Sequence, residues 1–349
     1  MPEASVVRVL IASYLEPELV DRIREVDARI AVTYEPALLR PPRYAADHAG
    51  APLVRTDDQE VAWRRHLAKA DVLFDFDQTH REDLPDLAPN VRWVQATSAG
   101  IGQFVKRMGY DRRMPDAVFT TASGVHAQPL AEFAVMAMLI HAKGLLGMVR
   151  DQRRKHWERY AGTDLADRTV GIVGVGRIGQ EVARLARAFK MHVLGVKRRH
   201  TGVDPAALHT DELYGPDQLD VVLARSEYLV LVIPHTDATD NLIGASELAR
   251  LPPGAVLINI GRGALVDEGA LVDALQSGHL AGAALDVFAE EPLPTASPLW
   301  DMPTVLISPH SGSTSDRENA RITDLFCDNL RRFLAGRPLT NVLDVKQLY

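Results

Sequence analysis

From residue 169 onward the chain runs again and again into short, almost uninterrupted apolar stretches: TVGIVGV, HVLGV, YLVLVI, AVLINI, AGAALDVF and TVLISPH. A strand with one face in water alternates polar and apolar residues, whereas one that is apolar along its whole length must be covered on both faces. Six such runs with helical segments between them specify a parallel, doubly wound sheet. The upstream part repeats the pattern in shorter form, with strands expected at 6–13, 29–34, 71–76, 91–100 and 117–124 and helices near 17–26 and 60–70. The fold class is therefore α/β with two doubly wound domains. The length of 349 residues, beyond the usual size of a single core, agrees with that.

Three other segments complete the organisation. Residues 36–58 are rich in proline and polar side chains and read as a long surface excursion. The most apolar segment, LAEFAVMAMLIHAKGLLGMV at 130–149, contains Glu132, His141, Lys143 and two glycines, so it reads as one buried or interface helix and not a membrane span. After 315 a helical pattern returns, with Ile322, Leu325, Phe326, Leu330, Phe333 and Leu334 on one face.

The net charge of −7 argues against a nucleic-acid or anionic-membrane binder, which needs an extended positive field. Cys327 is the only cysteine, so no internal disulfide can form, and with no leader-like start a cytoplasmic location is expected. No metal site is expected.

One glycine cluster has the context that gives it meaning. Gly174-x-Gly176-x-x-Gly179 directly follows one apolar run and opens a helix whose Val182, Leu185, Ala186 and Phe189 share a face. Gly174 would make the tight turn, Gly176 would let the backbone approach a pyrophosphate, and Gly179 would let helix and strand pack closely; Arg177 and Ile178 lie between. Amides and the positive helix end then hold the anion, which makes this a dinucleotide site. In NAD-binding versions an acidic residue at the tip of the second strand takes the ribose hydroxyls. Here that tip is Lys197, eighteen residues beyond Gly179 and followed by Arg198 and Arg199. A 2′-phosphate would be repelled by a carboxylate and paired by this cluster, so NADP(H) is favoured and NAD(H) stays possible.

Three later residues follow the ends of expected strands: Arg262 after AVLINI, Glu291 beyond ALDVF, and His310 after TVLI. Strand carboxyl ends face the ligand crevice of an open α/β sheet, so the three can converge. An arginine grips a carboxylate with two hydrogen bonds, a histidine exchanges a proton near neutrality, and an adjacent glutamate favours its protonated form. Reduction of a 2-keto acid by hydride needs that set of groups.

The stretches GIVGVGRIG, VIPHTDATDNLIG, LINIGRGALVDEGAL, GAALDVFAEEPLPTASPLW and VLISPHSGS, with SAG and SGVHAQPLAE upstream, resemble the D-isomer-specific 2-hydroxyacid dehydrogenases. The resemblance runs from about residue 90 to 335. It implies catalytic Arg262, Glu291 and His310, and a substrate-carboxylate site at the amides of Ser98, Ala99 and Gly100. It also implies cofactor contacts that include Pro234, Thr239, Ile260 and Asp286. His235 departs from the usual apolar residue and is given no catalytic role, and Lys197 replaces the customary acid. The implied architecture is a Rossmann cofactor domain at 129–311 inserted in a flavodoxin-like substrate domain of 1–128 and 312–349, with homodimers formed through the cofactor domains. The expected activity is NAD(P)-dependent reduction of a small 2-keto acid such as glyoxylate, hydroxypyruvate or a longer homologue. The expected partners are that small molecule and a second copy, with no nucleic acid and no membrane. Glu291 speaks against the formate branch, and the short stretch after the last helix speaks against a phosphoglycerate-type regulatory domain. The alternatives to set against the main reading are that phosphoglycerate type and a non-enzymatic, corepressor-like dinucleotide sensor.

Overall fold

The computed structural model describes residues 6–348. The chain forms two compact units: one comprises the residues through Val125 together with those from Thr314 onward, the other His126–Ser313.

The first unit contains β1 (Val7–Ile11), α1 (Pro17–Arg24), β2 (Ile30–Thr33), α2 (Asp57–Lys69), β3 (Val72–Phe74), α3 (Leu84–Leu87), β4 (Trp93–Gln95), α4 (Gly102–Met108), α5 (Tyr110–Arg113) and β5 (Val118–Thr120). Its five strands pair in parallel in the order β2-β1-β3-β4-β5, the flavodoxin-like sequence. Local signals set the helix starts: Thr56 and Gln59 cap α2 reciprocally, and Asp57, Asp58 and Glu60 place negative charge on its first turn. The 36–58 excursion is pinned more firmly than its composition suggests. Leu38 and Leu39 are buried, and the buried Asp47 carboxylate accepts hydrogen bonds from Arg43 and from the Gly50 amide.

The second unit contains α6 (Ala127–Lys143), α7 (Leu145–Arg154), β6 (Thr169–Val173), α8 (Arg177–Ala188), β7 (His192–Val196), β8 (Glu212–Tyr214), α9 (Leu219–Leu223), β9 (Tyr228–Leu231), α10 (Ala245–Leu248), β10 (Ala255–Asn259), α11 (Glu268–Gln276), β11 (Leu280–Leu285) and β12 (Val305–Ile307). All strands are parallel in the order β12-β11-β10-β9-β6-β7-β8, with the direction of winding reversing between β6 and β9. Alternate residues along the strands enter opposite cores. Val170, Ile172, Val230 and Ile258 face the side covered by α6 and α8, while Val173, Leu229, Leu231 and Leu257 face the side of α10 and α11. Two-sided burial is the physical reason for the uninterrupted apolar runs.

Two expectations need correction here. The sheet has a seventh strand, β8, which the apolar runs did not reveal because its sequence Glu212-Leu213-Tyr214 is not an apolar run; the two edge strands, β8 and β12, are half-buried throughout, so the TVLI run of β12, expected to be covered on both faces, is not. The 130–149 segment is two helices: Gly144 takes φ +67°, ends α6, and the chain turns by 58° into α7. Among the described residues no single helix is long and apolar enough to cross a membrane.

The last helix, α12 (Glu318–Leu334), returns to the first unit. Phe326 stacks on Trp93 and meets Phe74 edge-on, so the tail completes that core. The buried Asn329 joins the helix to the sheet by donating to Gln95 and accepting from the amide and hydroxyl of Thr340.

Candidate active site

The glycine loop between β6 and α8 has the conformations its residues suggest. Gly174 takes φ +112°, open to glycine at no steric cost, and a Cβ there would lie 2.6 Å from Ile233 Cγ2 and 2.7 Å from the Val232 carbonyl oxygen. At Gly179 a Cβ would drive into the Gly174 carbonyl and stand 3.3 Å from Ile172 Cγ2, so helix and strand touch backbone to backbone. Gly176 differs from both: a Cβ there would meet nothing within 4 Å. It is exposed, caps α8 and is followed by the exposed Arg177 and half-buried Ile178. Its bare face is a cradle that protein atoms do not fill, which fits close approach by a phosphate group.

Lys197 leaves the end of β7 half-buried, and its Nζ donates to the Val175 carbonyl at 2.8 Å, so the cation lies on the glycine loop itself. Arg198 and Arg199 are exposed beside it. The structure thus places the basic cluster and the anion cradle on adjoining strand ends, β6 and β7.

Arg262, Glu291 and His310 stand on the loops after β10, β11 and β12, three neighbouring strands. The buried Asn259 shapes the first loop, accepting from the Gly261 amide at 3.1 Å and donating to the Arg262 carbonyl at 2.9 Å. Arg262 Nη1 donates to the Gly261 carbonyl at 2.7 Å. Burial lowers the Arg262 pKa from its ordinary value and the Glu291 carboxylate opposes that; the guanidinium stays cationic. Glu291 bridges, with Oε1 accepting from the Phe288 amide at 3.0 Å and Oε2 meeting His310 Nδ1 at 2.8 Å. One nitrogen of the imidazole is thereby occupied and the ring orientation set, which leaves Nε2 as the atom that can exchange a proton.

His310 is held in the left-handed region, at φ +52°. Its loop is built around Asp286, which is buried and whose Oδ1 accepts from Ser308 Oγ (2.6 Å), the Ser311 amide (2.9 Å) and the Gly312 amide (2.8 Å). Asp286 was expected among cofactor contacts; its visible partners are in this loop. The roles of Asn259, Asp286 and Ser308 are not legible in the sequence: Asn259 bonds backbone groups two and three residues along its own loop, whereas Asp286 meets Ser308 Oγ and two amides on the neighbouring strand's loop, contacts that no periodicity signals. Elsewhere in the unit, Thr239 Oγ1 donates to the Pro234 carbonyl at 2.9 Å, His235 Nε2 lies 2.8 Å from Asp240 Oδ1, and Ile260 is buried in the core. Ser98, Ala99 and Gly100 belong to the first unit, at the carboxyl end of β4, where the Ser98 carbonyl accepts from the Ala122 amide at 3.1 Å.

A Rossmann-type sheet with a glycine cradle at its winding reversal, together with an arginine and a paired histidine and glutamate at adjacent strand ends, defines a dinucleotide-dependent oxidoreductase class. Residues 135–312 match the profile of the D-isomer specific 2-hydroxyacid dehydrogenase NAD binding domain. Glyoxylate/hydroxypyruvate reductase B of Pectobacterium carotovorum is 37% identical over 256 residues, covering 69% of this chain and 78% of that protein. The chain belongs to the D-isomer-specific 2-hydroxyacid dehydrogenase family and is an oxidoreductase acting on 2-hydroxy acids. Among solved structures, a family protein from Aeromonas salmonicida superposes with a TM-score of 0.79 at 28% identity, covering 98% of this chain and 100% of that one. A dehydrogenase from Xanthobacter autotrophicus, solved with NADPH and MES, gives 0.76 at 30% identity over 99% and 100%. An NADPH-dependent glyoxylate/hydroxypyruvate reductase from Sinorhizobium meliloti, solved with NADP and sulfate, gives 0.75 at 25% identity over 98% and 100%.

Proposed function

We propose that the protein reduces a small 2-keto acid to the D-2-hydroxy acid with NADPH as preferred reductant, glyoxylate and hydroxypyruvate being the first candidates. The observation that carries this reading is the 2.8 Å pairing of His310 Nδ1 with a Glu291 carboxylate that is itself pinned by the Phe288 amide. His310 protonates the carbonyl oxygen through Nε2, and Glu291 holds the ring in position from Nδ1. Arg262 grips the carboxylate and polarises the keto oxygen. The amides of Ser98, Ala99 and Gly100 in the first unit are further carboxylate contacts in this proposal.

The cofactor supplies the hydride when bound. Gly174, Gly176, Arg177, Ile178 and Gly179 would hold its pyrophosphate, and Lys197, Arg198 and Arg199 the 2′-phosphate, with NADH a weaker alternative. Pro234, Thr239, Ile260 and Asp286 would flank the nicotinamide side. The relatives solved with NADPH and NADP support this preference. The second unit is the cofactor domain and the first the substrate domain in this reading.

A homodimer through the cofactor unit is also proposed, because Met136, Leu145, Met148 and Val149 along α6 and α7 are exposed and Trp157 beyond them is 93% exposed. A cytoplasmic setting goes with the nicotinamide chemistry and the single cysteine. The test is an initial-rate panel of glyoxylate, hydroxypyruvate, pyruvate, phenylpyruvate and branched 2-keto acids, each with NADH and NADPH, for the native protein and His310→Asn. Turnover that vanishes in the variant while NADPH still binds supports the reading. Turnover that survives overturns it, and no turnover of any acid by the native protein favours a dinucleotide sensor.

A further inference from the structure

We propose that Glu268 is a positioning residue for the Glu291–His310 pair, acting through the backbone of Ala289; the inference rests on the catalytic reading above. Glu268 opens α11, on the segment that follows Arg262, and its Oε1 accepts from the Ala289 amide at 2.6 Å. Two consecutive amides of the β11 loop are therefore held by carboxylates, Phe288 by Glu291 at 3.0 Å and Ala289 by Glu268. The first bond sets where Glu291 stands. The second ties that stretch to the segment that carries Arg262.

Close packing reinforces the link. A Cβ on Gly263 would collide with the Phe288 carbonyl group and the Ala289 nitrogen, so the two loops touch backbone to backbone. Phe288 is buried in the core on this side of the sheet, whereas Ala289 is exposed. Without Glu268 the Ala289 amide would turn to water, and the stretch from 289 to Glu291 would be anchored at one end only. A charge-assisted hydrogen bond to a loop amide is strong enough to select one loop position. The ordinary role of an acid in a helix's first turn is already served in α11 by Asp267, whose side chain accepts from the Ala270 amide at 3.1 Å.

Two conservative variants separate the roles. Glu268→Gln keeps an oxygen at the same reach, and Glu268→Asp keeps the charge but falls short of Ala289. In steady-state assays of the full chain with glyoxylate and NADPH, E268D should lower kcat about tenfold, the loss expected when one charge-assisted bond no longer aligns the transition state. KM for the keto acid, the NADPH Kd and the melting temperature should stay near their native values, and E268Q should retain most of kcat. Native kcat in E268D, or an equal loss in E268Q, overturns the proposal. So does a kcat loss that comes with a lowered melting temperature or weakened NADPH binding. His310→Asn run in parallel keeps the two readings apart: an active H310N sinks the catalytic reading itself, while an inactive H310N beside a fully active E268D sinks only the role of Glu268.

Discussion

Alanine placed at Gly176 and at Gly179 should produce opposite phenotypes from chemically identical substitutions three residues apart. At Gly179 the added Cβ meets the Gly174 carbonyl and lies 3.0 Å from the Gly174 carbonyl carbon and 3.3 Å from Ile172 Cγ2. Those are backbone and core atoms that cannot step aside, so overpacking should cost about 3 kcal/mol, the upper end for an inserted methyl. For a domain of this size that lowers the melting temperature by roughly 6–12 °C. At Gly176 the Cβ enters open space, and the backbone at φ −89°, ψ −156° suits alanine. Stability should therefore be unchanged or rise by about 0.5 kcal/mol through a less flexible unfolded chain.

The cost at Gly176 appears only when an anion arrives. A methyl on the cradle keeps the phosphate from the loop amides and forfeits about 1.5–3 kcal/mol of charge-assisted hydrogen bonding. That corresponds to roughly 10- to 150-fold weaker NADPH binding. Calorimetric melting temperatures and NADPH dissociation constants from fluorescence titration check both halves. The reasoning is refuted if G176A melts as early as G179A, or if G176A binds NADPH as tightly as the native protein.

Replacing Lys197 and Arg198 with alanine should weaken NADPH binding by about 2 kcal/mol, some 30-fold, as two partly solvated cations near a phosphate would predict. NADH should change by less than about threefold, and equal losses for both would make the cluster a solvated loop. Asn329→Leu strips the buried amide that serves Gln95 and Thr340, and should cost the first unit about 3 kcal/mol in urea unfolding. His80 Nδ1 meets Asp77 at 2.7 Å and Nε2 meets Glu60 at 2.8 Å, and the Asp77 bond raises its pKa above the ordinary 6.5. A raised folded pKa means full stabilisation below pH about 6.5 and its loss as pH climbs through the folded value. His80→Gln should flatten that alkaline decline, and an unchanged slope in the variant would remove His80 as its source.

What the sequence discloses and conceals follows from which interactions are local. Strands covered on both faces announce themselves by uninterrupted apolar residues, which is why β6, β7, β9, β10 and β11 stand out. β8 does not, since Glu212 and Tyr214 break any apolar run and its order comes from pairing with β7, whereas the equally half-buried edge strand β12 is legible from its apolar Val305, Leu306 and Ile307. The break at Gly144 had a local signal in the His141, Lys143 and Gly144 succession, the usual end of a helix, but the apolar flanks masked it. Buried Asp47 in the 36–58 segment could not be foreseen, because its partners are set by a loop conformation with no periodicity. Lys197 was legible as a cation at a strand tip, though its anchoring on the Val175 carbonyl was not.

The catalytic candidates converge for a reason that lies in strand register, which explains why their wide sequence separation is no obstacle. Asn259 pairs with Leu285, and Leu285 pairs with Ile307, so β10, β11 and β12 finish level with one another. The ladder then continues past the strands: the Asp286 amide donates to the Asn259 carbonyl at 3.0 Å, and the Ser308 amide to the Leu285 carbonyl at 2.9 Å. The His310 amide closes on the Asp286 carbonyl at 2.9 Å. Arg262 and His310 each stand three residues beyond their level strand ends, and Glu291 reaches across from the loop between them. A substitution that slips one of these strands by a residue would therefore separate the group on that strand from the other two even with all three side chains intact. The buried Asn259 and Asp286, which hold the first turns beyond the ladder, are where such a slip would begin.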